Sequence, residues 1–390
     1  MEIIRKVTQE IERIERELRA LNESIHADPE LGGEEFKACR THIQFLQRHG
    51  FQVETRYLGI PTAFKATLDS SKPGAAIAYL AEYDALPDIG HGCGHNLLGT
   101  VSSGAGVVLG KMLSEIGGRV IVFGTPAEET NGFKVDMAAK GAFDEIDVAM
   151  IAHPGASHSR SGRSLAMDAL EFTFLGKAAH ASAKPEAGIN ALDAAINMFN
   201  NVNALREHMK PDARVHGYIK EGGMAANIVP ERAVNRFYIR ALTKSDLRQL
   251  VEKIKNCAEG ASLAVGTRLH IKNYEKSYDN LVTNSILSEA YCRNLLKMGV
   301  GTIKDCRKDE LGSVDMGNVS HKCPTIHPNF AISETRIVAH TREFARATVT
   351  PFAYGEMKKT IGALVLTGFE AVQDPEFLKA IKTEFYKTEK

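Results

Sequence analysis

Ala75-Ala76-Ile77-Ala78-Tyr79-Leu80 leads, through Ala81, into Glu82-Tyr83-Asp84-Ala85-Leu86-Pro87 and then into His91-Gly92-Cys93-Gly94-His95-Asn96. A short run that is almost wholly apolar reads as a strand buried on both faces of a sheet. Open α/β sheets place their sites just beyond the carboxyl ends of such strands. Cys93 and His95 put a thiol and an imidazole two residues apart, with a glycine on either side of the cysteine. Glycine permits tight backbone conformations and the close approach of an ion or ligand. A thiolate and a neutral imidazole are both good ligands for zinc-like metals.

The same pattern recurs twice. Val120–Gly124 reads as a buried strand ending at Thr125-Pro126-Ala127-Glu128-Glu129, and Val148–Ala152 as another ending at His153-Pro154. Three successive strand ends thus deliver candidate ligands, and His340 in Ala339-His340-Thr341-Arg342-Glu343-Phe344 is a fourth, distant source. Two metal ions about 3.5–4 Å apart can activate a water and polarise a carbonyl. Such a site needs a bridging anion, several terminal ligands and a free carboxylate as base. Cys93 could bridge as a thiolate, with His95, Glu129, His153 and His340 as terminal ligands. Adjacent Glu128 and Glu129 in an extended segment would point opposite ways. One can hold metal while the other faces the water only if the backbone bends there. The glycines at 104, 106 and 110 do not form a dinucleotide-binding fingerprint.

Outward from these stretches the periodicity predicts a helix over 2–24, with Val7, Ile11, Ile14, Leu18 and Leu21 on one face, and a second over 34–48. Strands are expected at 51–55 and 63–68, and a helix of small apolar residues at 97–115. From about Asp168 the character changes. Strands at 170–175, 215–219, 234–240 and 269–274 alternate with helices at 187–206 and 245–261, the latter capped by Ser245. This β-α-β-β-α-β order fits a separate, ferredoxin-like α+β unit, placed at 169–280 and inserted in a domain made of 1–168 and 281–390. The remainder reads as a helix at 283–297, a loop through Asp315-Met316-Gly317-Asn318, a strand near 326–332, and helices at 351–366 and 374–387.

The chain has 390 residues, 44% of them apolar, enough for two domains with full cores. Lys+Arg and Asp+Glu both number 48. That balance argues against a nucleic-acid or membrane-surface binder, which carries a basic excess. No apolar run reaches the ~18 residues that span a bilayer, and Met1–Lys6 begins no signal-peptide core. The six cysteines are dispersed, with no Cys-x-x-Cys. They read as reduced thiols of a cytoplasmic protein.

The run Glu82-Tyr-Asp-Ala-Leu-Pro…His-Gly-Cys-Gly-His-Asn, then Pro-Ala-Glu-Glu, then Ala-His-Pro, resembles the aminoacylase/carboxypeptidase superfamily of co-catalytic metallopeptidases. This is metallopeptidase family 20, and the Cys-Gly-His motif is that of its subfamily D. The resemblance continues at Gly176-Lys-Ala-Ala-His180, at Gly222-Gly223…Asn227-Ile-Val-Pro, at Asp315-Met-Gly-Asn-Val-Ser and at His340-Thr-Arg-Glu, and so spans nearly the whole chain. Asn96 stands where many members of the subfamily have Asp. The chain is most similar to the branch that holds p-aminobenzoyl-glutamate hydrolase and related dipeptidases.

The resemblance implies roles. Cys93 matches the metal-bridging position, His95 and His153 complete one metal, and Glu129 and His340 the other. Glu128 matches the general base, which returns its proton to the leaving amine. Asp84 matches a carboxylate that orients a ligand. His180 matches a histidine that stabilises the oxyanion in the partner subunit's site. Asn227 and Arg240 match positions that hold the substrate carboxylate.

The expectation is therefore a cytoplasmic amidohydrolase dependent on two divalent metal ions, zinc by its ligands, with manganese, cobalt or nickel as alternatives. It would act on an N-acyl amino acid, an aminobenzoyl-glutamate-like compound or a dipeptide. The expected architecture is a catalytic α/β domain with a central mixed sheet flanked by helices, plus an inserted lid and dimerisation domain, in a homodimer or higher homo-oligomer. Two rivals stand beside it: a cysteine hydrolase with Cys93 as nucleophile and His95 or His91 as base, and a non-catalytic, metal-stabilised binding protein.

Overall fold

The computed structural model describes residues 2–305 and 311–388. It divides into two compact units: the residues up to Arg163 together with those from Leu281 on, and Ser164–Asn280. Twelve strands occur among the described residues: β1 Gln52–Thr55, β2 Phe64–Asp69, β3 Ala76–Ala81, β4 Arg119–Gly124, β5 Val148–Met150, β6 His153–Gly155, β7 Ala166–Leu175, β8 Arg214–Glu221, β9 Arg232–Ala241, β10 Arg268–Asn273, β11 Thr325–Ile326 and β12 Asn329–Ala331.

In the larger unit a six-stranded mixed sheet has the order β1-β2-β4-β3-β5-β11. β4, β3, β5 and β11 are mutually parallel, and β2 and β1 close the far edge antiparallel. β3 lies near the middle and every residue of it is buried. Ile77, Tyr79 and Ala81 face one core, shared with Val7, Leu18, Val101 and Ile361 of the helices Glu2–Ala27, His95–Gly110 and Pro351–Gln373. Ala76, Ala78 and Leu80 face a second core with Met137, Phe143 and Met316. Burial on both faces explains why this strand is apolar throughout instead of alternating.

The smaller unit is a four-stranded antiparallel sheet of order β10-β7-β9-β8. Helices Ala191–Leu205 and Lys244–Val265 pack on it around Phe172, Phe174, Phe237 and Ile254. Numbered within the unit, the strand order is 4-1-3-2, that of a ferredoxin-like fold. The boundary at 163/164 falls ahead of β7, whereas a boundary at 168/169 would cut that strand.

Several local expectations are corrected. Val148–Ala152 is not one strand that ends at His153. β5 belongs to the main sheet, whereas His153 opens β6, which pairs in parallel with β12 in a separate two-stranded sheet. The 326–332 strand likewise divides into β11 and β12. The segment through 315–318 is not a loop but enters the short helix Met316–Ser320. The cap of the second helix of the smaller unit is Thr243, whose hydroxyl accepts from Asp246 N–H, and not Ser245. The 187–206 helix starts only at Ala191, because the Asn190 side chain accepts the free N–H groups of Leu192 and Asp193. Cys39, Cys93, Cys257, Cys292 and Cys323 are free thiols, and Cys306 lies outside the described residues. No helix among the described residues is long and apolar enough to cross a membrane.

Candidate active site

Because β3, β4 and β5 run parallel, their carboxyl ends open on one edge of the sheet. Beyond β3 come Glu82 and Asp84, beyond β4 come Glu128 and Glu129, and beyond β5 comes His153. Cys93 and His95 sit at the start of the helix His95–Gly110, where Gly94 adopts φ +82°. A Cβ on Gly94 would stand 2.9 Å from the Pro154 ring, so the approach of this turn to the His153 strand requires glycine. His340 arrives on a turn of its own. It holds φ +63°, rare for a residue with a side chain, and its N–H donates to Gly92 O at 2.8 Å.

The donor atoms converge. Cys93, His95 and His153 bring one ligand atom each to within 4.8 Å of one another, as do Cys93, Glu129 and His340, and also His95, Glu128 and Glu129. Cys93 Sγ lies 3.5 Å from His153 Nε2, and His340 Nε2 lies 3.3 Å from Glu129 Oε1. The imidazoles of His95 and His153 are both oriented through Nδ1: that of His95 meets Asp84 Oδ1 at 2.8 Å, and that of His153 meets Pro154 O at 2.7 Å. A ring that donates from Nδ1 presents a lone pair at Nε2, the arrangement of a metal-ligating histidine. Asp84 acts twice, since its Oδ2 also accepts Glu129 N–H at 3.0 Å.

Ala127 resolves the difficulty of two adjacent glutamates. It adopts φ +60°, and its carbonyl accepts Gly132 N–H at 2.7 Å. The chain therefore bends just ahead of Glu128, and both carboxylates reach the neighbourhood of His95.

Electrostatics set the protonation states. Burial pushes the Glu128 carboxyl well above its usual range, and the neighbouring Glu82, Asp315 and Glu129 add to this. Burial also pushes the Cys93 thiol up, only partly offset by His95. Burial alone would lower His95, but Asp84, Cys93 and Glu82 outweigh it and hold the imidazole well above its ordinary range. The donor set fits divalent cations. It combines soft and borderline ligands, and buried His95 Nε2 and Glu129 Oε1 make no hydrogen bond among the described residues. A cation would satisfy both atoms and convert the thiol to thiolate.

Behind the donors lies a group that sequence reading missed. Lys134, on the helix Phe133–Ala139, is fully buried. Its Nζ sits 2.7 Å from Glu82 Oε1 and 2.7 Å from Asp315 Oδ1. Burial would lower the Lys134 ammonium, but Asp315, Glu82 and Glu128 raise it. Glu82 Oε2 in turn lies 3.3 Å from His95 Nε2. A lone lysine in Gly-Phe-Lys-Val-Asp carries no signal of burial; only its two distant carboxylates account for it. His327 also lies beside the site, its ring 5.6 Å from that of His153, and burial pushes it down to about 3.

Three predicted residues belong to the smaller unit. His180 and Asn227 are exposed and adjacent: His180 bridges Ile228, and Ala181 N–H donates to Asn227 O at 3.0 Å. Arg240, on β9, is half-buried with its guanidinium 5.4 Å from the Tyr238 ring.

Comparison with known proteins agrees with this architecture. Residues 167–264 match a family model described as a peptidase dimerisation domain. The chain is 36% identical to Xaa-Arg dipeptidase of Mus musculus over 396 residues, covering 98% of this chain and 91% of that protein. It is 34% identical over 319 residues to one of the subunits of p-aminobenzoyl-glutamate hydrolase of Escherichia coli, covering 76% of this chain and 66% of the other. A Bacillus subtilis protein described as a dinuclear metal binding peptidase of the M20 family has a similar fold, with TM-score 0.68 at 17% identity over 93% of this chain and 100% of that one. By near full-length similarity and by fold, this chain belongs to the M20 family of peptidases and amidohydrolases and is a hydrolase of amide bonds.

Proposed function

We propose that the chain is a metal-dependent amidohydrolase that cleaves the amide bond beside a free carboxylate, in a dipeptide, an aminobenzoyl-glutamate-like compound or an N-acyl amino acid. The observation that carries this reading is Cys93: one thiol is common to two ligand triads, with a second carboxylate, Glu128, at hand beside Glu129. Cys93, His95 and His153 would hold one divalent cation, and Cys93, Glu129 and His340 the second. Such a cation pair supplies Lewis acidity, lowering the pKa of water and polarising a carbonyl. Glu128 takes the proton of the attacking water. The carboxyl so formed then returns that proton to the leaving amine, which must depart neutral. Asp84 fixes His95 and the backbone of Glu129 together, so the donors keep their geometry as charge moves.

For His180 we propose oxyanion stabilisation, and for Asn227 and Arg240 binding of the substrate carboxylate, Arg240 by a charge-assisted pair. Their support is the motif match, and for His180 and Asn227 also their adjacency on the surface of the smaller unit. The dipeptide reading draws on the similarity to Xaa-Arg dipeptidase, and the aminobenzoyl-glutamate reading on the similarity to the Escherichia coli hydrolase. The match to a dimerisation domain supports a homodimer or higher homo-oligomer. The free thiols support a reducing compartment such as the cytoplasm. Against the cysteine-hydrolase rival, His91 Nε2 is engaged by Ile25 O at 3.1 Å, and burial disfavours the Cys93 thiolate unless a cation stabilises it.

The test is Glu128→Gln, assayed on a panel of dipeptides and acyl-amino acids with parallel metal analysis. Loss of a general base lowers kcat by about 10²–10⁴-fold while metal stays bound. Retained turnover refutes the role of Glu128. Cleavage that survives chelation refutes the metal reading.

A further inference from the structure

We infer that Glu35 is a positioning residue for the reaction: its buried carboxylate holds the left-handed turn at Ala127 that sets Glu128 and Glu129 side by side. This rests on the roles proposed above for the two glutamates. Glu35 is completely buried. Its Oε1 accepts the N–H of Ala127 at 2.7 Å, and its Oε2 accepts the hydroxyl of Thr62 at 2.9 Å. Glu35 itself is among none of the clustered donor residues, and none of the chemistry above uses it.

Ala127 needs such a partner. Its φ of +60° is a conformation that residues with a Cβ seldom hold unless the surroundings impose it. It is also fully buried, so its N–H has no access to bulk water. The turn is therefore pinned by a carboxylate at each end, Glu35 at Ala127 N–H and Asp84 at Glu129 N–H. Pinning the amides on either side of Glu128 in this way dictates where its side chain leaves the backbone.

The loop that carries Glu35 is built to reach this turn. Glu30 O accepts Ala85 N–H at 2.8 Å, which ties the loop to the residue following Asp84. At Gly32 a Cβ would stand 2.2 Å from Thr130 Oγ1 and 3.1 Å from Ala127 Cα, so only glycine lets the loop lie against the bend. The segment from Glu30 to Glu35 thus braces two of the strand ends that carry the candidate chemistry.

The experiment compares Glu35→Met, which fills similar volume without an acceptor, with Glu35→Gln, whose amide oxygen accepts the same N–H. Both are assayed at saturating metal for kcat and KM, and by amide exchange of the peptide spanning residues 126–132. The Met variant is expected to lose about 100-fold in kcat with KM changed less than about threefold, the scale on which small misplacement of a reacting group acts. Its 126–132 peptide should exchange faster. The Gln variant should stay within about threefold of wild type in kcat, as a retained hydrogen bond requires. Wild-type kcat in the Met variant, or an equal loss in the Gln variant, overturns the proposal. If the Met variant does not fold, Thr62→Val releases only the other carboxylate oxygen; a several-fold loss of kcat with faster exchange supports the clamp, and no change in either overturns it. If the wild type hydrolyses nothing in the panel, the functional reading fails separately. Exchange at 126–132 then decides the clamp alone, and unaltered exchange in the Met variant sinks it.

Discussion

Replacing Lys134 by Met removes a buried ammonium that holds two carboxylates. Lys134, Glu82 and Asp315 are all within 1% of complete burial, and both contacts are 2.7 Å. Taking one partner from a buried ion pair costs about 3–5 kcal/mol, because the remaining charge is left uncompensated. Here two carboxylates lose their shared partner, so the upper part of that range applies. For a unit of this size the melting midpoint should fall by about 10 °C. The deficit should shrink in mildly acidic buffer, where the stranded carboxyls take up protons. The decisive control is the triple variant Lys134→Met, Glu82→Gln, Asp315→Asn. Neutral groups of similar shape avoid the desolvation cost, so this variant should recover at least half of the loss. Calorimetry and circular dichroism on the metal-free protein measure all of this without reference to activity. A Lys134→Met variant within about 2 °C of wild type, or a triple variant no more stable than the single one, would refute the reasoning.

Other outcomes follow from the same geometry. Glu171 of the smaller unit lies 2.8 Å from Arg236, 3.2 Å from Lys272 and 3.4 Å from Lys220. Burial would raise its carboxyl, but these cations outweigh it and hold it down from 4.5 to about 2. A carboxyl lowered on folding contributes stability that is full above the unfolded value and is lost as pH falls through the folded one. The stability advantage of wild type over Glu171→Gln should therefore be constant near neutrality and fade between about 4.5 and 2; a pH-independent difference in acid titrations would contradict it. At Gly99 a Cβ would stand 2.4 Å from Glu82 O and 2.8 Å from His42 Nε2. Gly99→Ala should cost about 1–3 kcal/mol by overpacking and weaken metal binding by shifting the helix end that bears His95. A metal titration with unchanged affinity would show that the helix does not transmit the strain.

Much of the site is legible in the chain itself, because its donors lie at the ends of strands whose apolar runs are visible there. Cys93, His95, Glu129 and His153 follow three such strands, and the parallel pairing of β3, β4 and β5 brings those ends to one edge. His340 is a candidate from the sequence that follows no strand, and the family motif is what singles it out, since a histidine in a polar turn has no pattern of its own. Lys134 and Glu35 are invisible for a different reason. Neither sits in a stretch whose pattern signals burial of a charge, and each meets a partner far along the chain, 181 and 92 residues away. The bend at Ala127 is posed as a condition by the chain and met by the fold: no local rule puts alanine at positive φ, and a carboxylate from another loop holds it there. Strand and helix periods express burial that repeats along the chain, and so the sequence carries them. Single contacts between distant segments do not repeat, and only the packed structure decides them.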